Sequence, residues 1–237
     1  MDYKDLKVLF EDNHIIVVYK PANIPTQSDI SGDKDMCTII KEYLINKYDK
    51  QGDAYLGMIQ RLDRPTAGLL MFAKTSKAAK RLNEQFKEHQ ITKKYFAIVR
   101  GKPPIKEDKL VCYLKKYEKQ NIVKVVPQLT EGSKYAELSY KLITSNDKTS
   151  LLLIDLVTGR SHQIRVQLSS NFMPIIGDNK YGDNTNVQLA LFACELKFMH
   201  PISGEKHTFR LYPPEEEPWL EYKTYTDSVL EVLIKNS

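Results

Sequence analysis

An α+β fold with a mixed, mostly antiparallel central sheet and flanking helices is what this sequence predicts, and three observations predict it. Strand-like runs outnumber helix-like runs. They do not alternate strictly with helices as a doubly wound sheet requires. The middle of the chain also holds five such runs separated only by turn residues. At 237 residues there is enough chain for one large core or two small lobes sharing a cleft. No Pro/Gly/Ser-rich linker, internal repeat or low-complexity tract divides it, so residues 1–237 are expected to act as one unit.

The elements follow in order. "KVLFEDNHIIVVYKP" reads as two short strands around a turn at Asp12–Asn13, stopped by Pro21. "KPANIPTQSDISGDKD" is a loop by its Pro, Gly, Ser and Asp content. "CTIIKEYLINKY" carries Ile40, Tyr43, Leu44 and Lys47 at helical spacing. "QRLDRPTAGLLMFAKT" turns at Pro65 and Gly68 and runs into an apolar strand. In "SKAAKRLNEQFKEHQ", Ala79, Leu82 and Phe86 form the apolar stripe of a helix; Lys77, Lys80, Arg81 and Lys87 lie mainly on its solvated side. The five middle strands are "KKYFAIVRG", "KLVCYLKKY", "NIVKVVPQ", "KYAELSYKLI" and "SLLLIDLVTG". A helix then starts near Ser161, the loop "PIIGDNKYGDNTN" follows, and "LALFACELKFMH" and "EKHTFRLY" are two more strands. "EEEPWLEYKTYTDSVLEVLIKN" closes as a helix whose Trp219, Leu220, Val229 and Leu233 are expected to pack on their own domain, which favours a monomer.

Composition excludes several classes. No run approaches the ~18 apolar residues of a membrane-spanning helix. The acidic, mixed start "MDYKDLKVLFEDNH" lacks the features of a signal peptide, so a cytoplasmic protein is expected. Three widely spaced cysteines, Cys37, Cys112 and Cys194, form neither a disulfide framework nor a C-x-x-C pair. The histidines make no H-E-x-x-H motif, and His200 and His207 are weak ligand candidates, so a metal-free, reduced protein is expected. From Pro213 onward six acids and two lysines give −4 against the whole chain's +5, which leaves +9 on residues 1–212. A basic body of this kind is compatible with a nucleic-acid partner, and with many metabolic enzymes as well.

Three stretches carry chemistry. Asp63 stands between Arg61 and Arg64 just before a turn, either as a surface salt-bridge cluster or as a carboxylate held ionised. In "LLLIDLVTGRSHQIRVQLSS" a strand ends at Leu156, Thr158–Gly159 turns, and Ser161 is the expected N-cap of a helix. At about 100° per residue, Arg165 falls about 60° from Leu168 and about 100° from Ile164, on the rim of the buried face. His162 falls about 160° from Ile164, on the open side. Arg160, His162 and Arg165 thus surround a helix N-terminus that favours anions, or else form an exposed cationic turn. A rim arginine is expected to find a carboxylate, since an unpaired buried guanidinium is costly, and Asp63 is the expected partner. In "TKKYFAIVRG", Tyr95, Ala97 and Val99 share one strand face while Phe96 and Ile98 share the other. Both faces are apolar, so the strand is interior and Tyr95 reads first as a core residue whose hydroxyl has a partner.

"QRLDRPTAGLLMFAKT", "KKYFAIVRG", "TGRSHQIRVQL", "PIIGDNKYGD" and "LKFMHPISGEKHTF" occur in the order and spacing of the RluA family of pseudouridine synthases, and "VLFEDNHIIVVYKPANIP" resembles that family's opening strand pair and Lys-Pro turn. The resemblance covers residues 7–214, leaving 215–237 as a C-terminal helical extension, and it implies the pseudouridine synthase fold with its catalytic cleft. It implies that Asp63 is the catalytic aspartate, that Tyr95 packs on the target uracil and handles the proton lost from carbon 5, and that Arg165 pairs with the aspartate. Arg61 matches an arginine that helps displace the target base; Arg64, Arg160 and His162 join it as candidate RNA-binding residues. No metal or organic cofactor is implied. The partner it implies is ribosomal or transfer RNA.

Four positions depart from the family pattern: Gln60 for His, Ala67 for Ser, Gln167 for His and Asn23 for Gly. They bear on substrate choice. The match starts almost at the first residue, so the accessory N-terminal RNA-binding domain of many relatives is not expected. Target selection then rests on the cleft and its surroundings, read by shape and by bases splayed from a loop.

The chemistry itself needs only one carboxylate. Ordinary glycoside hydrolysis uses two, but uracil as leaving group already delocalises negative charge. On that resemblance Asp63 is expected to attack the anomeric carbon or to take the 2′ proton to give a glycal; it must be ionised for either, and a positive charge within about 4–6 Å favours that form. Two other classes fit the residues less well. A silent RNA-binding relative is motivated by the four departures, and a nucleosidase would need a second acid beside Asp63.

Overall fold

The computed structural model describes residues 1–182, Thr185 and residues 187–235. In chain order the strands and helices begin with β1 (Val8–Glu11), β2 (Ile15–Lys20), α1 (Met36–Lys47), β3 (Gly57–Met58), β4 (Ala67–Ala73) and α2 (Ser76–Lys87). They continue with β5 (Thr92–Arg100), β6 (Glu107–Tyr117), β7 (Ile122–Val126), β8 (Lys134–Ser145), β9 (Thr149–Leu156) and α3 (Gln163–Ser170). β10 (Leu191–Met199), β11 (Lys206–Arg210) and α4 (Lys223–Lys235) complete the order. The fold is α+β with mostly antiparallel pairing, as the run of strands between α2 and α3 implies. Asp183, Asn184 and Asn186 of the expected loop, and Asn236 and Ser237 of the expected terminal helix, lie outside the described residues.

The described chain divides into two compact units, Met1–Ile91 with Leu196–Phe209, and Thr92–Glu195 with Arg210 onward. In the first, β2 pairs antiparallel with β1 on one side and β4 on the other, and the two-residue β3 pairs with β4. The sequence did not disclose β3, which is too short to show a period. Every residue of β4 is buried, which explains its unbroken apolar run. α1 is N-capped by Asp35, whose side chain accepts from the Thr38 N–H at 3.2 Å, and buries Met36, Ile39, Ile40 and Leu44. Thr75 caps α2 in the same way, and Ala78, Ala79 and Leu82 form its buried stripe. Glu11 ties β1 to α1 and β4: it accepts from Lys47 (2.6 Å), Lys74 (2.5 Å), Tyr43 (3.0 Å) and Tyr48 (2.7 Å). Burial pushes its carboxyl upward, but the two ammonium groups and two hydroxyls outweigh that and bring it down to about 2.

In the second unit β5, β9, β8, β6 and β7 are neighbours in that order, all antiparallel. β5 is interior and buried from Tyr95 to Val99. α3 packs through Val166 on Leu114, Val123 and Ala136 of β6, β7 and β8. The C-terminal segment differs from the single helix expected: turns and a short 3-10 helix (Leu220–Tyr222) precede α4, which starts only at Lys223. Trp219 is buried against Phe192, at a ring separation of 6.1 Å, while Leu220 is exposed. Among the described residues no helix is long and apolar enough to cross a membrane.

Candidate active site

Asp63 lies in the first unit, half-buried, on the loop that feeds β4. That loop is held by its backbone. The Thr66 N–H closes a turn onto the Asp63 carbonyl at 2.9 Å, and the Asn23 N–H donates to the Arg64 carbonyl at 2.8 Å. Thr26 Oγ1 donates to the Leu62 carbonyl (2.8 Å) and accepts from the Leu62 N–H (3.2 Å). Lys20, the last residue of β2, is 0% exposed. Its Nζ donates to the carbonyls of Pro21 (2.9 Å), Arg64 (3.0 Å) and Thr66 (2.7 Å). Three acceptors match the three N–H bonds of an ammonium. Burial pulls the Lys20 pKa down to about 7, opposed by the charge of Asp63 and assisted by that of Arg64. The three carbonyl partners of Lys20 lie under the turn that carries the carboxylate.

Arg61 is exposed. The Arg64 guanidinium turns to the loop before α1, pairing with Asp33 and lying 3.6 Å from Asp29 and 2.8 Å from Ser31 Oγ. Asn23 occupies the left-handed region at φ 66°, which asparagine tolerates better than most side chains. A residue other than glycine fits the Lys-Pro turn for that reason.

Tyr95, Arg160, His162 and Arg165 lie in the second unit. Tyr95 is 6% exposed on β5, on the same strand face as Lys93. Burial brings the Lys93 pKa down to about 8, with Asp155 opposing and Arg160 assisting. A Cβ at Gly159 would lie 3.7 Å from Lys93 Nζ, so the β9–α3 turn passes close over this lysine.

α3 begins at Gln163, one residue later than a Ser161 cap would have it. His162 takes the cap position at φ 52° without a side-chain capping bond. Gln163 reaches back instead: its Oε1 accepts from the Arg160 N–H (2.9 Å) and Thr158 Oγ1 (2.8 Å), and its Nε2 donates to the Glu137 carbonyl (3.0 Å). Arg160 is exposed, its Nε on the Tyr135 carbonyl at 2.9 Å.

Arg165 is buried, 5% exposed, rather than on a rim. A bidentate carboxylate makes that burial possible: its Nε lies 2.8 Å and its Nη2 2.7 Å from the two oxygens of Asp178. Asp178 Oδ1 also accepts from the N–H groups of Lys180 (3.0 Å) and Tyr181 (3.1 Å). Burial pushes the Asp178 carboxyl up, but Arg165 and those two N–H groups together hold it below the usual carboxylate range. The Arg165 guanidinium lies 5.2 Å from the centre of the Tyr181 ring. The Tyr181 hydroxyl accepts from the Val123 N–H at 2.8 Å and meets His162 Nδ1 at 2.6 Å. Gly177 makes the loop's close return possible: at φ 75°, any Cβ there would sit 2.5 Å from the Gln188 carbonyl oxygen.

Gln167, one of the departures from the family pattern, is 1% exposed, and its Nε2 donates to the Leu110 carbonyl at 3.0 Å. It fastens α3 to β6 and is buried from solvent. Lys20, Lys93, Asp178 and Tyr181 carry no role in the sequence reading. Two signals pointed to some of them. A lysine ends an otherwise apolar strand just before Pro21, and "GDNKYG" has the Asp-first form of a side-chain-capped turn.

A family model described as RNA pseudouridylate synthase matches residues 14–170. Ribosomal large subunit pseudouridine synthase D of Zymomonas mobilis is 33% identical over 227 residues, covering 89% of this chain and 70% of that protein. The mitochondrial tRNA pseudouridine(32) synthase of Saccharomyces cerevisiae is 35% identical over 186 residues, 76% of this chain and 38% of that one. Among solved structures, human RNA pseudouridylate synthase domain containing 4 superposes with a TM-score of 0.74 at 20% identity, covering 93% of this chain and 91% of the other, and shares the fold.

Proposed function

The chain belongs to the RNA pseudouridylate synthase family, and from that premise we propose that it isomerises uridine in ribosomal or transfer RNA through Asp63, in the cytoplasm, with residues 7–214 acting as one catalytic unit. In this reaction the bond from ribose C1′ to uracil N1 breaks and a bond from C1′ to C5 forms. The proton on C5 leaves and N1 is protonated, so atoms balance without a co-reactant. Asp63 acts at the ribose, as nucleophile at C1′ or as base toward the 2′ hydrogen. Tyr95 packs on the uracil and takes part in removing the C5 proton. Arg165 supplies positive charge that favours an ionised carboxylate. Arg61, Arg64, Arg160 and His162 contact RNA, Arg61 filling the space the target nucleotide leaves when it quits its stack.

One observation supports the reading: the loop bearing Asp63 is fixed by a fully buried lysine that satisfies three carbonyls. A salt-bridge cluster at a strand end would have no use for that burial. A carboxylate that must meet a ribose carbon needs its backbone immobilised.

The test is tritium release from carbon-5-labelled uridine in unmodified ribosomal and transfer RNA. Wild type is expected to release tritium without free uracil, and Asp63→Asn to release none. Absence of release from either RNA, with RNA still bound, would make the chain a silent relative. Free uracil would make it a glycosidase. A primary isotope effect from deuterium at C2′ would assign Asp63 as base, and its absence would assign attack at C1′.

A further inference from the structure

The outer face of the β6–β7–β8 sheet presents a basic, aromatic surface with no part in the reaction described above. Lys115 on β6 and Lys124 on β7 are directly opposite each other in the antiparallel register. Like charges at such a pair oppose folding. Both ammonium groups lie over the ring of Tyr117, 5.8 and 5.7 Å from its centre. Among the described residues neither lysine is in an ion pair. The nearby carboxylates are engaged elsewhere: Glu118 with Lys116 at 2.6 Å, and Glu137 with Lys109 at 2.8 Å and the Tyr135 hydroxyl.

Alternation along β6 puts Tyr113 on the same face as Lys115 and Tyr117. Its register partner on β8 is Tyr135, with ring centres 5.9 Å apart, edge to face. Tyr117 and Tyr135 are each more than a third exposed, at 37% and 39%. A single lysine on the edge strand β7 would suffice to discourage edge pairing. Two facing lysines over an exposed ring, beside a second tyrosine pair, exceed that need.

We infer that this face binds a single-stranded segment of the substrate RNA, with phosphates on Lys115 and Lys124 and bases stacked on Tyr117 and Tyr135. The chemistry is that of sequence-tolerant strand binding on a sheet, where ring faces take bases and cations track the backbone. The inference rests on RNA being the chain's substrate, and it extends recognition to nucleotides away from the one that is isomerised.

The test is fluorescence anisotropy of a labelled ten-nucleotide single-stranded oligouridylate with the full chain, titrated at several salt concentrations. Lys115→Ala/Lys124→Ala is expected to weaken binding about tenfold at low salt and to flatten the slope of log K against log salt by about 1.4, or about 0.7 per lost phosphate contact. Tyr117→Ala is expected to weaken binding about fivefold or more while leaving the slope unchanged. Lys115→Arg/Lys124→Arg restores wild-type binding. Melting temperatures of all variants show that the fold is kept, since all three positions are on a solvent-facing sheet surface.

Wild-type affinity and slope in the double-alanine variant would overturn the inference. So would displacement of the oligonucleotide by polyglutamate of equal charge together with no effect of Tyr117→Ala, because the surface would then be one for an acidic protein. The assay needs no turnover. Failure to isomerise uridine, with these binding losses intact, would remove the proposed reaction and leave this surface standing.

Discussion

The turn that carries Asp63 and the helix that carries Arg165 hold their charged residues in opposite ways. In the first, a buried side chain grips backbone: Lys20 spends all its donors on carbonyls, and the Asp63 side chain is left half-exposed on a fixed loop. In the second, side chain grips side chain: Asp178 clamps the Arg165 guanidinium, Tyr181 lies on its face, and His162 and Val123 hold Tyr181. A group that must form or break bonds at a ribose has to reach out from a rigid base. A group that works by its charge can be locked in place and kept dry.

Removing the clamp is expected to have the largest effect on stability. Asp178→Asn takes the bidentate carboxylate from a buried guanidinium, and a broken buried pair costs about 3–5 kcal/mol, read as a fall in melting temperature by calorimetry. Replacing both partners, Arg165→Met with Asp178→Leu, is expected to cost less than Asp178→Asn alone. A larger loss in the double variant would mean that other contacts, and not the pair, set the stability of this region. The same pair shapes the acid limb. Asp178 is held below its ordinary value, so its contribution is present above the unfolded pKa of about 3.9 and is lost as pH falls through the lower folded value. Wild type should therefore lose stability below about pH 4 along a limb that Asp178→Asn lacks.

Lys20→Met comes next. It removes three charge-assisted hydrogen bonds and strands their carbonyls, at about 3 kcal/mol. It should also lower the rate of tritium release about 100-fold through misplacement of Asp63, with little change in KM. Unchanged turnover in a folded Lys20→Met would break the link between the buried lysine and the carboxylate.

Tyr181→Phe keeps the ring on Arg165 but deprives the Val123 N–H and His162 of their hydroxyl partner, for about 1–2 kcal/mol. The smallest effect is expected from Arg64→Ala, which should leave the melting temperature unchanged within error. Its ion pairs with Asp29 and Asp33 are exposed and screened, and what Lys20 and Asn23 hold is its backbone carbonyl. A marked loss would show that the loop before α1 helps to fix the turn after all.

Most of the secondary structure was legible because it rests on local periodicity. The buried run of β4, the stripe of α2 and the alternation of β5 need only neighbours in sequence to be read, and the density of strands between α2 and α3 is enough to name the fold class. Errors fell where a side chain overrode the local signal. Ser161 looks like a cap, but Gln163 reaches back to the Arg160 N–H and Thr158, so α3 starts later. Arg165 looks like a rim residue because a 100° projection counts apolar neighbours and cannot count a carboxylate thirteen positions away.

By itself, then, the sequence determined the order of the longer strands and helices, the α+β class, the family resemblance and the charged residues around which the site is argued. These follow from spacing, turn chemistry and motif order, all of which are linear properties. Only the tertiary structure decided which polar partners those residues have. Lys20 is tied to carbonyls up to 46 residues away and Arg165 to Asp178 across a loop, and Lys115 faces Lys124 only because a hairpin sets them in register. Burial makes the first two partnerships necessary, since a charge removed from water must be satisfied by whatever the fold brings within about 3 Å, whereas the lysine pair stays at the surface.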